Sequence, residues 1–301
     1  MKSIISLLSI LLLLSTGCTE PNLPIKHLLP SSCTVYDMKQ ARCIDNRELL
    51  KRLAPYRVVF VGDHHAQTDL HRKLAKIITG LDQVGRHVSL ASEWFTPEDD
   101  TLLEQYAKGS FKGDFPQAVE WKKKAGYPFD SYDLTYNAIH RAHGGLYGIN
   151  LSREFRKRIS NADHSVMSRE EKDFYDSLDL NVTAHRQMLS PFFSRCHSLR
   201  KDEDTDSCSE RMYRVQVAWD SYMANESAAL VNRAGHSRSN LLMVFAGSMH
   251  LSYGLGINAR FARLSRESFV TIKPVPMGTD AADVGEADFL LFYVPLQQSS
   301  K

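Results

Sequence analysis

The sequence predicts an α/β fold, with a mostly parallel sheet flanked by helices and helical cap segments inserted between its strands. Three observations carry this. Short unbroken apolar runs such as 57–62 (RVVFVG), 88–93 (VSLASE) and 241–247 (LLMVFAG) read as strands buried on both faces, as strands of a parallel sheet are. Amphipathic helical patterns separate these runs, the alternation expected of α/β layers. Finally, 301 residues with 43% hydrophobic and 24% charged composition fit one large or two small globular domains.

Residues 19–35 hold three prolines and read as a tether, and the folded part is expected from about residue 46. The run at 57–62 passes through a polar cluster into a helix near 68–81, with Leu70, Leu74, Ile77 and Ile78 on one face. After the second run, Thr96, Pro97 and Glu98 form an N-cap with proline in the first turn. Further strands are expected at 146–151, 241–247, 268–275 and 289–294. The spacing is uneven: helical patterns accumulate over about 97–143 and 152–235, including a helix start at 168–171 and a long helical register over 209–234. The expected organisation is therefore a segment 18–45 containing the tether and a disulfide loop, then one α/β domain over 46–296 with those two helical insertions.

The N-terminus bears on the compartment. Lys2 precedes the apolar stretch 4–14 (IISLLSILLLL), which fits the h-region of a secretory signal peptide and falls short of the roughly 20 residues that span a bilayer. The following Ser15-Thr16-Gly17-Cys18 resembles the lipobox of bacterial lipoproteins, although Leu14 lies one place earlier than that pattern usually has it. The resemblance implies a signal peptide over 1–17, lipidation of Cys18 and a membrane anchor in the bacterial cell envelope. Thr19, in place of the Asp that retains many such lipoproteins at the inner membrane, points to the outer membrane. Four other cysteines remain. Cys33 with Cys43 and Cys196 with Cys208 would each close a short polar loop, and these local disulfides are expected in an oxidising compartment, with free thiols as the alternative. A formal charge of +2 supplies no general field to gather nucleic acid, so no nucleic-acid partner is expected.

The chemistry gathers at strand ends. The first buried run ends Gly62-Asp63-His64-His65, the second ends Ser92-Glu93-Trp94, and a later one ends Gly247-Ser248-Met249-His250. In a parallel sheet all carboxyl ends lie at one edge, where open α/β folds bind ligands. Asp63, His64, His65, Glu93 and His250 are therefore expected on one rim. One histidine after a strand is usually a loop hydrogen-bonding residue; several at independent strand ends favour a site.

The paired G-x-x-H motifs, with Glu93 between them, resemble those of the ChaN-like haem-binding lipoproteins within the Tiki, TraB and erythromycin-esterase superfamily. VFVGDHH, LASEWF and FAGSMHLSYG each look like the corresponding family segment, and their order extends the likeness over about 45–275. Asp63 departs from it, since family members commonly carry Glu there. The resemblance implies a periplasm-facing lipoprotein that binds haem for uptake or storage of haem or iron, as a haem-bridged homodimer, with an outer-membrane receptor as a further partner. It also implies a tyrosine as iron ligand, a type known for haem. Tyr253, three residues beyond His250, is the candidate; His64 is the other, as ligand or hydrogen-bond partner. Cofactor-binding residues are thus Tyr253, His64, His65, His250 and Glu93. Trp94, Phe95, Met249 and Leu251 would supply apolar surface, and Arg260 and Arg263 would supply cations. The alternative is a metal-dependent peptidase or esterase. There His65, Glu93 and His250 would hold a Zn, Mn or Fe ion with an open position, and Asp63 or His64 would serve as general base.

Overall fold

The computed structural model describes residues 26–193, 196, 203–235 and 237–296. Its strands are β1 (Lys26–Leu28), β2 (Val35–Asp37), β3 (Arg42–Ile44), β4 (Val58–Asp63), β5 (His87–Ser92), β6 (Leu146–Gly148), β7 (Asn240–Gly247), β8 (Phe269–Pro276), β9 (Ala281–Asp283) and β10 (Phe289–Tyr293). The helices are α1 (Asn46–Leu53), α2 (Thr68–Gln83), α3 (Asp100–Ala107), α4 (Phe115–Ala118), α5 (Trp121–Lys124), α6 (Phe129–Arg141), α7 (Arg153–Asn161), α8 (Arg169–Asp176), α9 (Thr183–Phe193), α10 (Thr205–Arg233) and α11 (Ile257–Leu264). Eight strands form one sheet in the order β3-β2-β10-β8-β4-β7-β5-β6, and β1 pairs with β9 apart from it.

From β10 to β6 every pairing is parallel, which is the expected mostly parallel sheet. The chain alternates along each buried strand because successive side chains point to opposite faces. Val59 and Val61 of β4 face the layer of α1, α2 and α6, whereas Val58 and Phe60 face α10 and α11. The first long insertion packs α6 into one core layer together with Leu103 of α3, Phe115 of α4 and Trp121 of α5, and the second packs α10 against the other face. Local signals at the helix starts are realised. Thr96 with Asp99 and Ser168 with Glu171 form capping boxes, satisfying first-turn donors that would otherwise lack partners.

The segment read as tether and disulfide loop contains three short strands from Lys26 onward. β2 and β3 extend the sheet antiparallel beyond β10, where Val35, Tyr36 and Asp37 are all buried. Three-residue strands show no periodicity in sequence, so nothing there marks them. Cys33 and Cys43 are joined at the base of this hairpin, with Cα atoms 5.6 Å apart. Cys196 is likewise joined to Cys208 on α10, with Cα atoms 5.7 Å apart. Cys18 lies outside the described residues. Among those described, no helix is long and apolar enough to cross a membrane.

Candidate functional site

The strand order makes a switch point beside β4. The chain leaves β4 through α2 on one face and leaves β7 through α11 on the other, so a crevice opens between the carboxyl ends of these neighbours. Gly62 lets the two ends approach: a Cβ there would stand 2.6 Å from Ser248 Oγ and 2.8 Å from Pro274 Cδ. Ser248 Oγ in turn donates to the Asp63 carbonyl at 3.1 Å, tying the turn after β7 to the end of β4.

His65 and His250 face this crevice, each held by an aspartate from behind. Asp63 is fully buried at the end of β4, and its Oδ2 lies 3.0 Å from His65 Nδ1 and accepts from Tyr132 Oη at 3.2 Å. His71, also fully buried, has Nε2 3.9 Å from the second Asp63 oxygen. Burial pushes His71 down to about 4, so it is neutral at physiological pH. The His65 ring packs at 4.9 Å from the Trp94 ring and 5.1 Å from the Tyr127 ring. Burial works against protonation of His65, but the carboxylates of Asp63 and Glu93 outweigh it and raise its pKa.

His250 sits in the short 3₁₀ turn after β7. Its Nδ1 lies 2.6 Å from Asp220 Oδ1 and 2.8 Å from Gln216 Nε2, both on α10. Its Nε2 lies 3.7 Å from Glu93 Oε2. Glu93 is anchored by the Gly247 N–H, which donates to Oε2 at 2.8 Å. Burial raises the Glu93 carboxyl above the usual carboxylate range. Burial alone would lower His250, yet Asp220 and Glu93 together hold it above its ordinary value. Asp220 is completely buried and also faces His185 Nε2 of α9 at 3.2 Å and Arg260 Nη1 at 3.8 Å. Burial pushes its carboxyl up, and these cationic and imidazole partners pull it below the ordinary value.

The predicted rim therefore divides. His65, Glu93 and His250 meet on the β4, β7, β5 half. His64 is the next residue along the chain from Asp63 and turns the other way. Its Nδ1 lies 2.9 Å from Tyr293 Oη, and burial, aided by Lys273, lowers its pKa. Tyr253 stands on the β8, β10 half as well. Its backbone is left-handed (φ 57°), and its phenol donates to Asp283 Oδ2 at 2.6 Å. Burial and this carboxylate push the Tyr253 hydroxyl up to about 12, the direction that opposes a tyrosinate.

Other expected contributors fall elsewhere. Phe95 and Leu251 are core residues. Arg260 is buried and spends its guanidinium on the Leu255 and Gly256 carbonyls and Ser221 Oγ, and Arg263 pairs with Asp179. Among the described residues no group of three or more His, Cys, Asp or Glu side chains is arranged to hold a metal ion. The alternative set His65, Glu93 and His250 faces one point in front of Gly247, where a Cβ would stand 3.5 Å from Glu93 Oε1, 3.5 Å from His65 Cε1 and 3.6 Å from His250 Cδ2. Asp63, weighed as a general base, holds His65 from beneath.

A cleft of about 840 Å³ opens above His65, Glu93 and His250, within the range of small-molecule and cofactor sites. Trp94 and Trp219 wall it, each with a buried indole N–H that lacks a protein acceptor. Arg153 and Arg156 of α7 stand at its edge, the latter with its guanidinium 5.0 Å from the Trp219 ring centre. Sequence reasoning passed over these arginines and over Asp220, Gln216 and His185. The arginines do leave a signal, since 153, 156 and 157 lie on one helical stripe; a polar residue inside a long helical register leaves none.

Sheet order, switch-point crevice and paired Asp–His groups define an α/β protein of the open, mostly parallel type, with its polar side chains gathered at the edge where such folds bind ligands. The haem-binding uptake family of the Tiki superfamily, ChaN, matches over residues 49–261, and the chain belongs to this family. Among solved structures, the fold is similar to that of ChaN of Campylobacter jejuni, reported with cofacial haem, at 19% identity and TM-score 0.67. That match covers 86% of this chain and 96% of the other. An erythromycin esterase mutant in its open conformation matches at 15% identity and TM-score 0.46, covering 87% and 83% of the two chains. No curated protein is a significant match.

Proposed function

We propose that this protein binds haem in the cleft above β4, β5 and β7, with Nε2 of His65 as the iron ligand. The observation that carries the reading is the Asp63–His65 pair. An imidazole whose Nδ1–H is given to a buried carboxylate has its ring orientation fixed and its Nε2 made more basic, so that iron binding there displaces a proton, and this is how histidine ligands are commonly supported. The residues fit the group: the cleft has the volume, Trp94 and Trp219 offer flat apolar walls, and Arg153 and Arg156 offer cations to carboxylates. When bound, haem would supply the iron centre, and the protein would supply orientation, axial basicity and shelter from water. Tyr253 and His64 are the second choice as ligands, because they occupy the other half of the rim, where the Tyr253 phenol donates to Asp283 and His64 meets the Tyr293 hydroxyl.

The family and the cofacial haem of the Campylobacter jejuni relative support a homodimer in which open clefts bring two haems together. The N-terminal 4–14 stretch and Cys18 support a periplasm-facing lipoprotein anchored at the outer membrane, serving haem or iron uptake or storage beside an outer-membrane receptor. Haemin titration of the purified protein, followed by size-exclusion chromatography, tests ligand and dimer together. A shifted Soret band that saturates near one haem per chain, with a doubled mass, is expected; an unshifted spectrum at saturating haemin refutes the reading.

A second reading rests on His250. With Asp220 behind it and Glu93 before it, opposite the Asp63–His65 pair, it forms an acid–base arrangement suited to ester or amide hydrolysis. Turnover of a p-nitrophenyl ester that disappears in His250→Ala would support this; no turnover would remove it.

A further inference from the structure

Beside the cleft, the inserted helices α7, α9 and α10 enclose a second groove of about 540 Å³. The two are contiguous, since Arg153, Arg156 and Trp219 line both. The groove is amphipathic by construction. On α10, residues 212, 215, 216 and 219 recur at helical spacing, so Met212, Val215 and Trp219 form one apolar strip, continued by Met249 from the turn that carries His250. On α7 the buried side is Phe155 and Ile159, and this leaves Arg153, Arg156 and Lys157 along the groove.

These three cations differ from the others nearby. Lys123 and Lys124, at the rim of the cleft, pair with Glu120 and Asp99, and Arg211, across the groove, pairs with Glu203. Among the described residues no carboxylate forms an ion pair with Arg153, Arg156 or Lys157. Arg156 is half-buried against Trp219, and burial together with Arg153 lowers its pKa; a charge placed there without a carboxylate is costly unless a ligand supplies one.

We infer that Arg153, Arg156 and Lys157 form a carboxylate clamp, and that the groove takes the acid-bearing edge of a flat amphiphilic dianion, a tetrapyrrole dicarboxylate. This rests on the proposed haem reading and adds to it which residues would hold the ligand's acids: Arg153, Arg156 and Lys157 would meet its carboxylates, and Met212, Val215 and Met249 would meet its apolar part. The clamp selects for the free acid over its ester, independently of any metal.

The test is fluorescence titration of the full chain with metal-free protoporphyrin IX and with its dimethyl ester, which lacks the charges. The wild type should bind the diacid roughly 25-fold more tightly than the ester, taking about fivefold for each of two partly exposed ion pairs. Arg153→Gln, Arg156→Gln and Lys157→Gln combined should erase that preference, bringing the ratio of diacid to ester affinity to about one. Arg211→Gln, whose charge Glu203 already neutralises, should keep it. Retention of the preference in the triple variant overturns the clamp, while a Soret shift with haemin in the same preparation leaves haem binding standing. Absence of both the shift and diacid binding in the wild type overturns the haem reading and the clamp with it. Oleate displacing protoporphyrin IX at equal concentration would reassign the groove to fatty acids and overturn the tetrapyrrole assignment.

Discussion

Asp220→Asn is the perturbation that reaches deepest into the site without touching the cleft. The carboxylate is fully buried and faces His250 at 2.6 Å, His185 at 3.2 Å and Arg260 at 3.8 Å, so replacing its charge leaves three partners with a neutral acceptor. A hydrogen bond to a charged group is worth about 1–1.5 kcal/mol more than a neutral one. With two close partners and one farther one, the loss should be about 3 kcal/mol, at the low end for a broken buried pair because Asn keeps the volume. A chain of this size would lose roughly 6 °C in Tm. The pH dependence has a definite sign. The His250 pKa is raised in the fold, so its stabilising contribution is complete below the unfolded value of about 6.5 and fades as pH rises through the folded value. The Asp220 pKa is lowered, so its contribution is present above about 3.9 and is lost as pH falls through the folded value. The deficit of the variant should therefore be largest near pH 5.5 and smaller at pH 8.5, measured by urea denaturation at both. Histidine NMR titration should show the pKa of His250 falling in the variant. An equal deficit at the two pH values, or an unchanged His250 titration, would refute the reasoning.

Three further predictions follow from the same geometry. Glu93→Gln removes a carboxylate whose burial raises its pKa, so the fold is penalised above the unfolded value of about 4.3 and not below it. The variant should melt higher than wild type at pH 8 and equally at pH 4; a loss of Tm at pH 8 would contradict this. Gly62→Ala drives a methyl against Ser248 and Pro274 in the crevice and should cost about 2 kcal/mol, read as a lower urea midpoint, whereas an unchanged midpoint would show that the strand ends can part freely. Mass mapping without reduction should yield peptides linking Cys33 to Cys43 and Cys196 to Cys208, and a Cys33 to Cys196 link would overturn that pairing.

Much of the scaffold was legible because buried parallel strands are short, apolar and bounded by turn residues. The strands found at β4, β5, β7, β8 and β10 lie within a residue or two of the runs that predicted them, and β6 ends three residues early, at Gly148. Convergence of Asp63, His65, Glu93 and His250 followed from parallel topology alone. Adjacent residues at a strand end diverge, however, which is why His64 and His65 serve opposite halves of the rim. The β2–β3 hairpin escaped because three residues cannot display an alternation. Asp220 and His185 escaped because a buried ion cluster within helices depends on which helices meet, and that is a tertiary property. Paired cations also look like free ones in sequence: the fold spends Arg260 on backbone carbonyls, whereas Arg153 and Arg156 line the cleft.

The assignment of His65 is tested most directly by visible spectra of the ferric haem complex in wild type, His65→Ala and Tyr253→Phe, recorded side by side at saturating haemin. A histidine-ligated spectrum that collapses in His65→Ala and persists in Tyr253→Phe is the predicted result. A tyrosinate charge-transfer band that vanishes in Tyr253→Phe and survives in His65→Ala would contradict it, and would move the haem to the opposite half of the rim.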